Sequence, residues 1–285
     1  MDFYIVNCFS EEMYQGNQLL VVNAKHPISD EEQQNIAREI NFSETAFILS
    51  DKKQNGGYDV RIWTPNVGEV PFAGHPTLGT AHIIREIIEK NANEIVMLNL
   101  KIGQISVKRT PLGQVMLQKS PKFGNIIEKE EICAVFGIGK EEILDEYPVQ
   151  WVSTGLESVL IPITNIEALS KVKTNKMAFK EYIKKYPQNN CNHLFFTQTG
   201  EFVFVARCMM EDFVEDPATG SASGNLAGYL IKHNYFGDKD ISYTVVQGEH
   251  IGRPSVLHIH SSYMNDEWFI EVGGNCHIVA SGIWK

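Results

Sequence analysis

Long apolar runs, paired cysteines and excess positive charge are all missing from this chain. No run in its 285 residues approaches the ~20 apolar residues of a membrane helix. The opening Met1-Asp2-Phe3-Tyr4-Ile5-Val6 has no basic region followed by a long apolar stretch and a small-residue cleavage site. It reads as a first strand, not a signal peptide. Lys and Arg number 25 against 35 Asp and Glu, a formal net charge of -10. Such a surface repels phosphate backbones, which argues against nucleic-acid binding. The densest basic stretch holds Lys171, Lys173, Lys176, Lys180 and Lys184. The last three recur every fourth residue, the pattern of a solvated helix face. The five cysteines (Cys8, Cys133, Cys191, Cys208 and Cys276) are odd in number, with no C-x-x-C. This excludes a disulfide framework covering all of them and any obvious zinc site, and a reducing cytoplasm is the expected compartment.

The composition that remains, 43% apolar and 21% charged, is ordinary for a globular protein, and the length suits about two domains. Tyr4-Ile5-Val6, Leu19-Leu20-Val21-Val22 and Ala46-Phe47-Ile48-Leu49 have the length and composition of strands. Ser29 with Glu32 forms a capping-box signal, predicting a helix from about Asp30 to Glu39. Strand-like stretches at 95–100, 104–108 and 114–117 are separated by turns at Lys101-Ile102-Gly103 and Thr110-Pro111-Leu112-Gly113.

Residues 69–84 (EVPFAGHPTLGTAHII) and 215–230 (EDPATGSASGNLAGYL) superpose without gaps as E-x-P-x-x-G-x-x-[TS]-x-x-x-A-x-x-[IL]. Each copy marks a Pro/Gly turn running into an apolar helix, which points to an internal duplication and two domains meeting face to face. Pro76 is expected at the first helical position, where its missing N–H is harmless. The boundary is expected in a loop near Pro121-Lys122-Phe123-Gly124, giving domains 1–120 and 121–285. The final strands, 268–272 and 277–281, are free to join either domain.

The two turns present Gly74 with His75 and Gly220 with Ser221. Unpaired N–H groups and the positive end of a helix dipole favour anions, so the pair suits a small carboxylate-bearing molecule. Taken singly, each turn is equally well a plain helix start. Glu44, just before an apolar strand, becomes a proton carrier near neutrality if it is buried, and is a solvated edge residue otherwise. His258 and His260 fall on one face of a strand, but no further ligand completes a metal site there. His75 and His82 are subject to the same doubt. Gly220-Ser221-Ala222-Ser223-Gly224 has Ala where a serine-hydrolase elbow needs Ser, and Gly137-Ile138-Gly139 lacks the third Gly of a dinucleotide fingerprint.

At these residues the chain resembles the PhzF-like (phenazine-biosynthesis isomerase-like) family of the diaminopimelate-epimerase-like superfamily. The resemblance rests on Gly16-Asn17, S-E-T-A-F at 43–47, Thr64-Pro65, E-V-P-F-A-G-H-P-T-L-G at 69–79 and E-D-P-A-T-G-S-A at 215–222, in family order over most of the chain. It implies an α+β fold of two pseudo-symmetric domains, each a curved barrel-like sheet around a central helix beginning near His75 or Ser221. It further implies a site between the domains, a homodimer, and no metal or organic cofactor. Glu44 matches the family's general acid/base, with His75, Asp216 and Ser221 as the other catalytic positions. Asn17, Gly74 and Gly220 are the positions expected to bind substrate. Superfamily racemases use a cysteine at each helix start, where this chain has Ala73 and Thr219. The expected chemistry is therefore an isomerisation in which one carboxylate moves a proton between carbons of a small carboxylate, with neither nucleic acid nor membrane as partner. Three alternatives stand beside it: an amino-acid epimerase with non-thiol bases, a small-molecule binding protein without catalysis, and a structural protein. Fold alone does not choose among them.

Overall fold

The computed structural model describes residues 1–285 except Lys25, Asn91, Ala92 and Asp212. β1 (Asp2–Cys8) and β2 (Asn17–Asn23) are joined through Gly16, whose φ is 75°. A Cβ at Gly16 would lie 2.3 Å from the Cys8 carbonyl oxygen, so only glycine fits that turn. α1 (Asp30–Ile40) begins where the Ser29 hydroxyl accepts from the Glu32 N–H, and ends at Asn41 in the left-handed conformation. β3 (Glu44–Ile48), β4 (Gly57–Thr64) and β5 (Gly68–Val70) lead to α2 (Gly74–Ile83), which continues as a π-helical turn, Ile84–Ile88. β6 (Ile95–Leu100), β7 (Gly103–Thr110) and β8 (Gly113–Leu117) are hairpin-linked, with Gly103 and Gly113 at positive φ.

The chain then forms β9 (Lys122–Ile126), α3 (Lys129–Phe136), β10 (Gln150–Ser153), β11 (Glu157–Pro162), α4 (Ile166–Lys171) and α5 (Lys176–Lys185). β12 (Asn192–Gly200), β13 (Val203–Met209) and β14 (Glu215–Asp216) precede α6 (Gly220–Lys232). β15 (Asp240–Gln247), β16 (Ser255–Met264), β17 (Glu267–Gly274) and β18 (Cys276–Ile283) complete it. No helix among the described residues is long and apolar enough to cross a membrane.

Two compact units result: Met1–Leu117 together with Gly273–Lys285, and Gln118–Val272. In the first, the strands run β18–β1–β2–β3–β4–β6–β7–β8. Their successive pairings are antiparallel, antiparallel, parallel, antiparallel, parallel, antiparallel and antiparallel. In the second, β9–β10–β11–β12–β13–β15–β16 repeats that succession from its start through the sixth pairing. A short strand, β5 in one unit and β14 in the other, pairs antiparallel with β4 or β13. Each unit carries the same unusual order of parallel and antiparallel joins, as two copies of one ancestral half would.

A helix fills each unit. Every residue of α2 from His75 to Ala81 is buried, and the helix touches β1, β2, β3, β6, β7, β8 and β18, so the sheet curves around it. Residues Gly220 to Ile231 of α6 are likewise buried, against β10, β11, β15 and β16. Neither buried stretch carries a charged residue, and helices with no charged face to turn to water are enclosed in this way. The strands come close because the helices are lined with small residues: a Cβ at Gly79 would lie 2.6 Å from Leu19 and 2.7 Å from the Cys8 sulfur.

Two sequence expectations change, and a point left open is decided. Pro76 is the third residue of its helix, not the first, because the helix begins at Gly74 with Ala73 as N-cap. Residues 122–126 form a strand paired with β10 in place of the expected loop. Pro121 and Gly124 look like turn residues, but Gly124 is there because the Trp151 ring of the next strand lies where a Cβ would project, at 2.7 Å. β18 pairs along its length with β1, so the terminal residues belong with the first unit although they follow the second in sequence.

Candidate active site

In the first unit, Glu44 opens β3 and His75 is the second residue of α2. The β2–β3 register sets Leu19 beside Glu44, and the His75 ring hydrogen-bonds to the backbone of Gln18. Asn17, at the start of β2 and buried, therefore lies at the same end of the sheet as Glu44 and His75. The Glu44 Oε2 is 3.5 Å from the His75 Nε2, with side-chain exposures of 20% and 7%. Burial pushes the His75 pKa down to about 3, against the opposing hydrogen bond to Gln18. At neutral pH the ring is uncharged, and the contact joins a carboxyl group to a neutral imidazole, not two ions. The helix has no side-chain cap at Ala73, and the N–H groups of Gly74 and His75 are ones that no carbonyl of the helix can reach. The arrangement gathers a carboxyl group, a neutral imidazole and the first backbone N–H groups of a helix without a side-chain cap.

In the second unit, Gly220 and Ser221 hold the first two positions of α6, the places of Gly74 and His75 in α2. Asp216 ends β14, and its Oδ2 accepts from the Thr219 hydroxyl at 2.6 Å. Thr219 is the N-cap residue, yet its side chain does not cap the helix. Gln247, on β15 and fully buried, explains why. Its Nε2 donates to the Asp216 carbonyl (2.7 Å) and to the Thr219 hydroxyl (3.0 Å), while its Oε1 accepts from the Thr219 N–H (3.2 Å). With Gln247 donating to it, the Thr219 hydroxyl points its own proton at Asp216. Ser221 is 7% exposed, and the Gly220 carbonyl accepts from the Gln118 Nε2 at 3.2 Å. Gln247→Leu removes two donors and an acceptor from this buried turn and is expected to cost about 1–3 kcal/mol of stability. Urea unfolding measures the loss, and an unchanged midpoint would rule this bracing out.

The duplicated glutamates have a different role from Glu44. Arg61 donates from Nε and Nη2 to Glu69 at 2.9 Å each, and Arg207 donates likewise to Glu215 at 3.1 and 2.7 Å. In both copies the Arg precedes its Glu by eight residues, on β4 and β13 respectively. Arg61 holds the Glu69 carboxyl below its ordinary range. These forked pairs tie the Pro/Gly turn to the neighbouring strand. Sequence reading missed both arginines, as it missed Gln247, though an R-x7-E repeat in register with the helix motif was present in the chain.

Other candidates resolve as structure. The half-buried His258 and His260 face Thr244 and Ser242 across β15 and β16, and no group of three or more possible metal ligands exists among the described residues. His82 contacts Gln114 at 3.3 Å, and burial pushes its pKa down to about 4. Lys171 pairs with Glu142 at 2.8 Å, while Lys176, Lys180 and Lys184 lie on α5.

Comparison with known proteins gives consistent results. The family model described as phenazine biosynthesis-like protein (PhzC-PhzF) matches residues 6–282. A trans-2,3-dihydro-3-hydroxyanthranilate isomerase of Pseudomonas aeruginosa is 30% identical over 98% of this chain and 98% of its own length. An uncharacterized isomerase of Clostridium acetobutylicum is 30% identical over 98% and 96%. Among solved structures, a PhzF-family phenazine biosynthesis protein of Bacillus anthracis superposes with a TM-score of 0.87 at 23% identity, covering 99% of this chain and 98% of that one.

Proposed function

Given that the chain belongs to the phenazine biosynthesis-like PhzC-PhzF family and is an isomerase, we propose that Glu44 alone moves a proton between two carbons of a small carboxylate. The observation that carries this reading is the Glu44–His75 contact at the uncapped start of α2. The carboxylate takes a proton from carbon, and the C–H electron pair becomes a new C=C bond. The original double bond shifts its electrons to the far carbon, which collects the proton from Glu44 on the same face. His75, neutral because it is buried, orients the carboxyl group without neutralising it. In the first unit the N–H of Gly74 suits the substrate's carboxylate, with Asn17 on a polar substituent; in the second unit the helix start at Gly220, with Asp216 and Ser221, offers an anion site of the same kind.

A two-thiol racemisation is disfavoured, since the N-cap positions are Ala73 and Thr219. Cys8, which touches the His75 carbonyl, is a poor thiolate base because burial raises its pKa well above the usual thiol range. The named substrate of the Pseudomonas aeruginosa relative, an unsaturated cyclic amino acid bearing a hydroxyl, sets the class to try first. The same reading takes the protein to be a homodimer, which its mass in solution would check.

The deciding experiment incubates the protein in heavy water with a panel of unsaturated cyclic carboxylates, trans-2,3-dihydro-3-hydroxyanthranilate among them. Proton NMR should record a shifted double bond, with deuterium at the receiving carbon in proportion to the exchange of Glu44 with solvent. Inversion at an α-carbon without movement of the double bond would favour an epimerase. Saturable binding without any conversion would favour a binding protein.

A further inference from the structure

Two thiols outside this proton transfer face one another inside the first unit. Cys8 closes β1, Cys276 opens β18, and the two are direct partners in the antiparallel register. A one-residue shift between Ile5 and Val6 sets up this meeting. Had the pairing of Ile5 with Ala280 continued without it, His277 would stand opposite Cys8; the shift passes over Val279 and brings Cys276 there. Bulges commonly re-aim a side chain in this way. Direct partners project from the same face with Cβ atoms about 4.5–5.5 Å apart, close to the span that a disulfide bridges. The two side chains hydrogen-bond to each other, and both cysteines are free thiols. Cys276 is half-buried and open to small reagents, whereas Cys8 is fully buried against α2.

The Cys8 Sγ also donates to the carbonyl oxygen of His75 at 3.3 Å. Gly79 keeps a place for that sulfur on the helix, for a Cβ there would approach it to 2.7 Å. The thiol pair is thus wired to the helix turn whose imidazole meets Glu44.

We infer that Cys8 and Cys276 form a reversible disulfide that loosens the His75 turn. The oxidant is a hydroperoxide. The Cys276 thiolate attacks its terminal oxygen, an S–O bond forms as the O–O bond breaks, and water or an alcohol leaves. The Cys8 sulfur then attacks the Cys276 sulfenic acid, the S–S bond forms, and hydroxide leaves with the Cys8 proton as water. Two electrons pass from the thiols to the peroxide, and a dithiol returns them. Once joined to Cys276, the Cys8 sulfur has no proton for the His75 carbonyl. The effect on turnover rests on the single-glutamate reading above; the cross-link does not.

The test exposes the folded full-length protein to hydrogen peroxide, alkylates the remaining thiols after denaturation, and maps the peptides by mass spectrometry. A Cys8–Cys276 linked peptide is expected, absent from C276S and lost on treatment with dithiothreitol. NMR of the histidine rings should show the His75 signals move on oxidation of the native chain and stay in place in C276S. Turnover should fall about three- to tenfold on oxidation, the worth of one hydrogen bond, with C276S keeping its basal rate and resisting peroxide. The proposal is overturned if both thiols remain alkylatable, if Cys276 advances to the sulfinic acid without linking, or if the link forms with the His75 signals unmoved. A link that moves His75 in a protein that converts no carboxylate would leave the redox site standing and remove the isomerase mechanism instead.

Discussion

Glu44→Gln is expected to lower turnover by about 10²–10⁴-fold, the usual contribution of a general acid/base, while unfolding in urea stays nearly unchanged. The amide has the shape of the carboxyl group but cannot carry its proton. Glu44 is only half-buried at the first position of β3, so the β2–β3 and β3–β4 pairings do not depend on its charge. His75 remains neutral in the variant, since burial lowers its pKa and the carboxylate is not the cause. Single-turnover measurement on the substrate found in heavy water separates the chemical step from binding: the loss should fall on kcat, with KM moving little. A variant that turns over within a few-fold of the parent would remove Glu44 from the mechanism.

Acid should unfold the protein through its buried imidazoles. Burial lowers the pKa of His75 and of His193 to about 3, and that of His82 to about 4. Between pH 6.5 and these values the unfolded chain binds a proton on each ring and the folded chain does not. Stability is therefore complete above about pH 6.5 and falls as the pH drops, by up to about 1.4 kcal/mol per pH unit for each ring. His193 is the most informative of the three. It lies among Phe136, Phe179 and Tyr182, with ring centroids 5.0, 5.5 and 5.9 Å away, and its Nε2 has no hydrogen-bond partner among the described residues. A charge there has nowhere to go. His193→Leu, tested by urea unfolding from pH 7 to pH 4, should flatten the stability profile by about one proton's slope. Equal slopes in parent and variant would show that His193 does not drive the acid transition.

Much of the scaffold was legible because it is written in local chemistry. Ser29 with Glu32 marked the start of α1, and the early apolar runs marked β1, β2 and β3. The helix starts at Gly74 and Gly220 were visible as a repeated Pro/Gly turn before an apolar stretch. Residues 122–126 were misread because Pro and Gly usually punctuate chains, and only the Trp151 ring across the sheet gives Gly124 its reason. Gln247 was invisible for a related cause. It is an unremarkable residue far along the chain from the turn it braces, and its value comes from three hydrogen bonds that exist only after β15 has packed.

The pattern repeated within the chain, a Pro/Gly turn running into an apolar helix, followed from the order of residues alone, because capping, turn formation and apolar periodicity act over a few neighbours. The folded molecule was needed to bring Glu44 within 3.5 Å of His75, to set Cys276 opposite Cys8 and to return β18 to β1. Each of those depends on strand register and burial between residues distant in the chain, and no local rule carries such information.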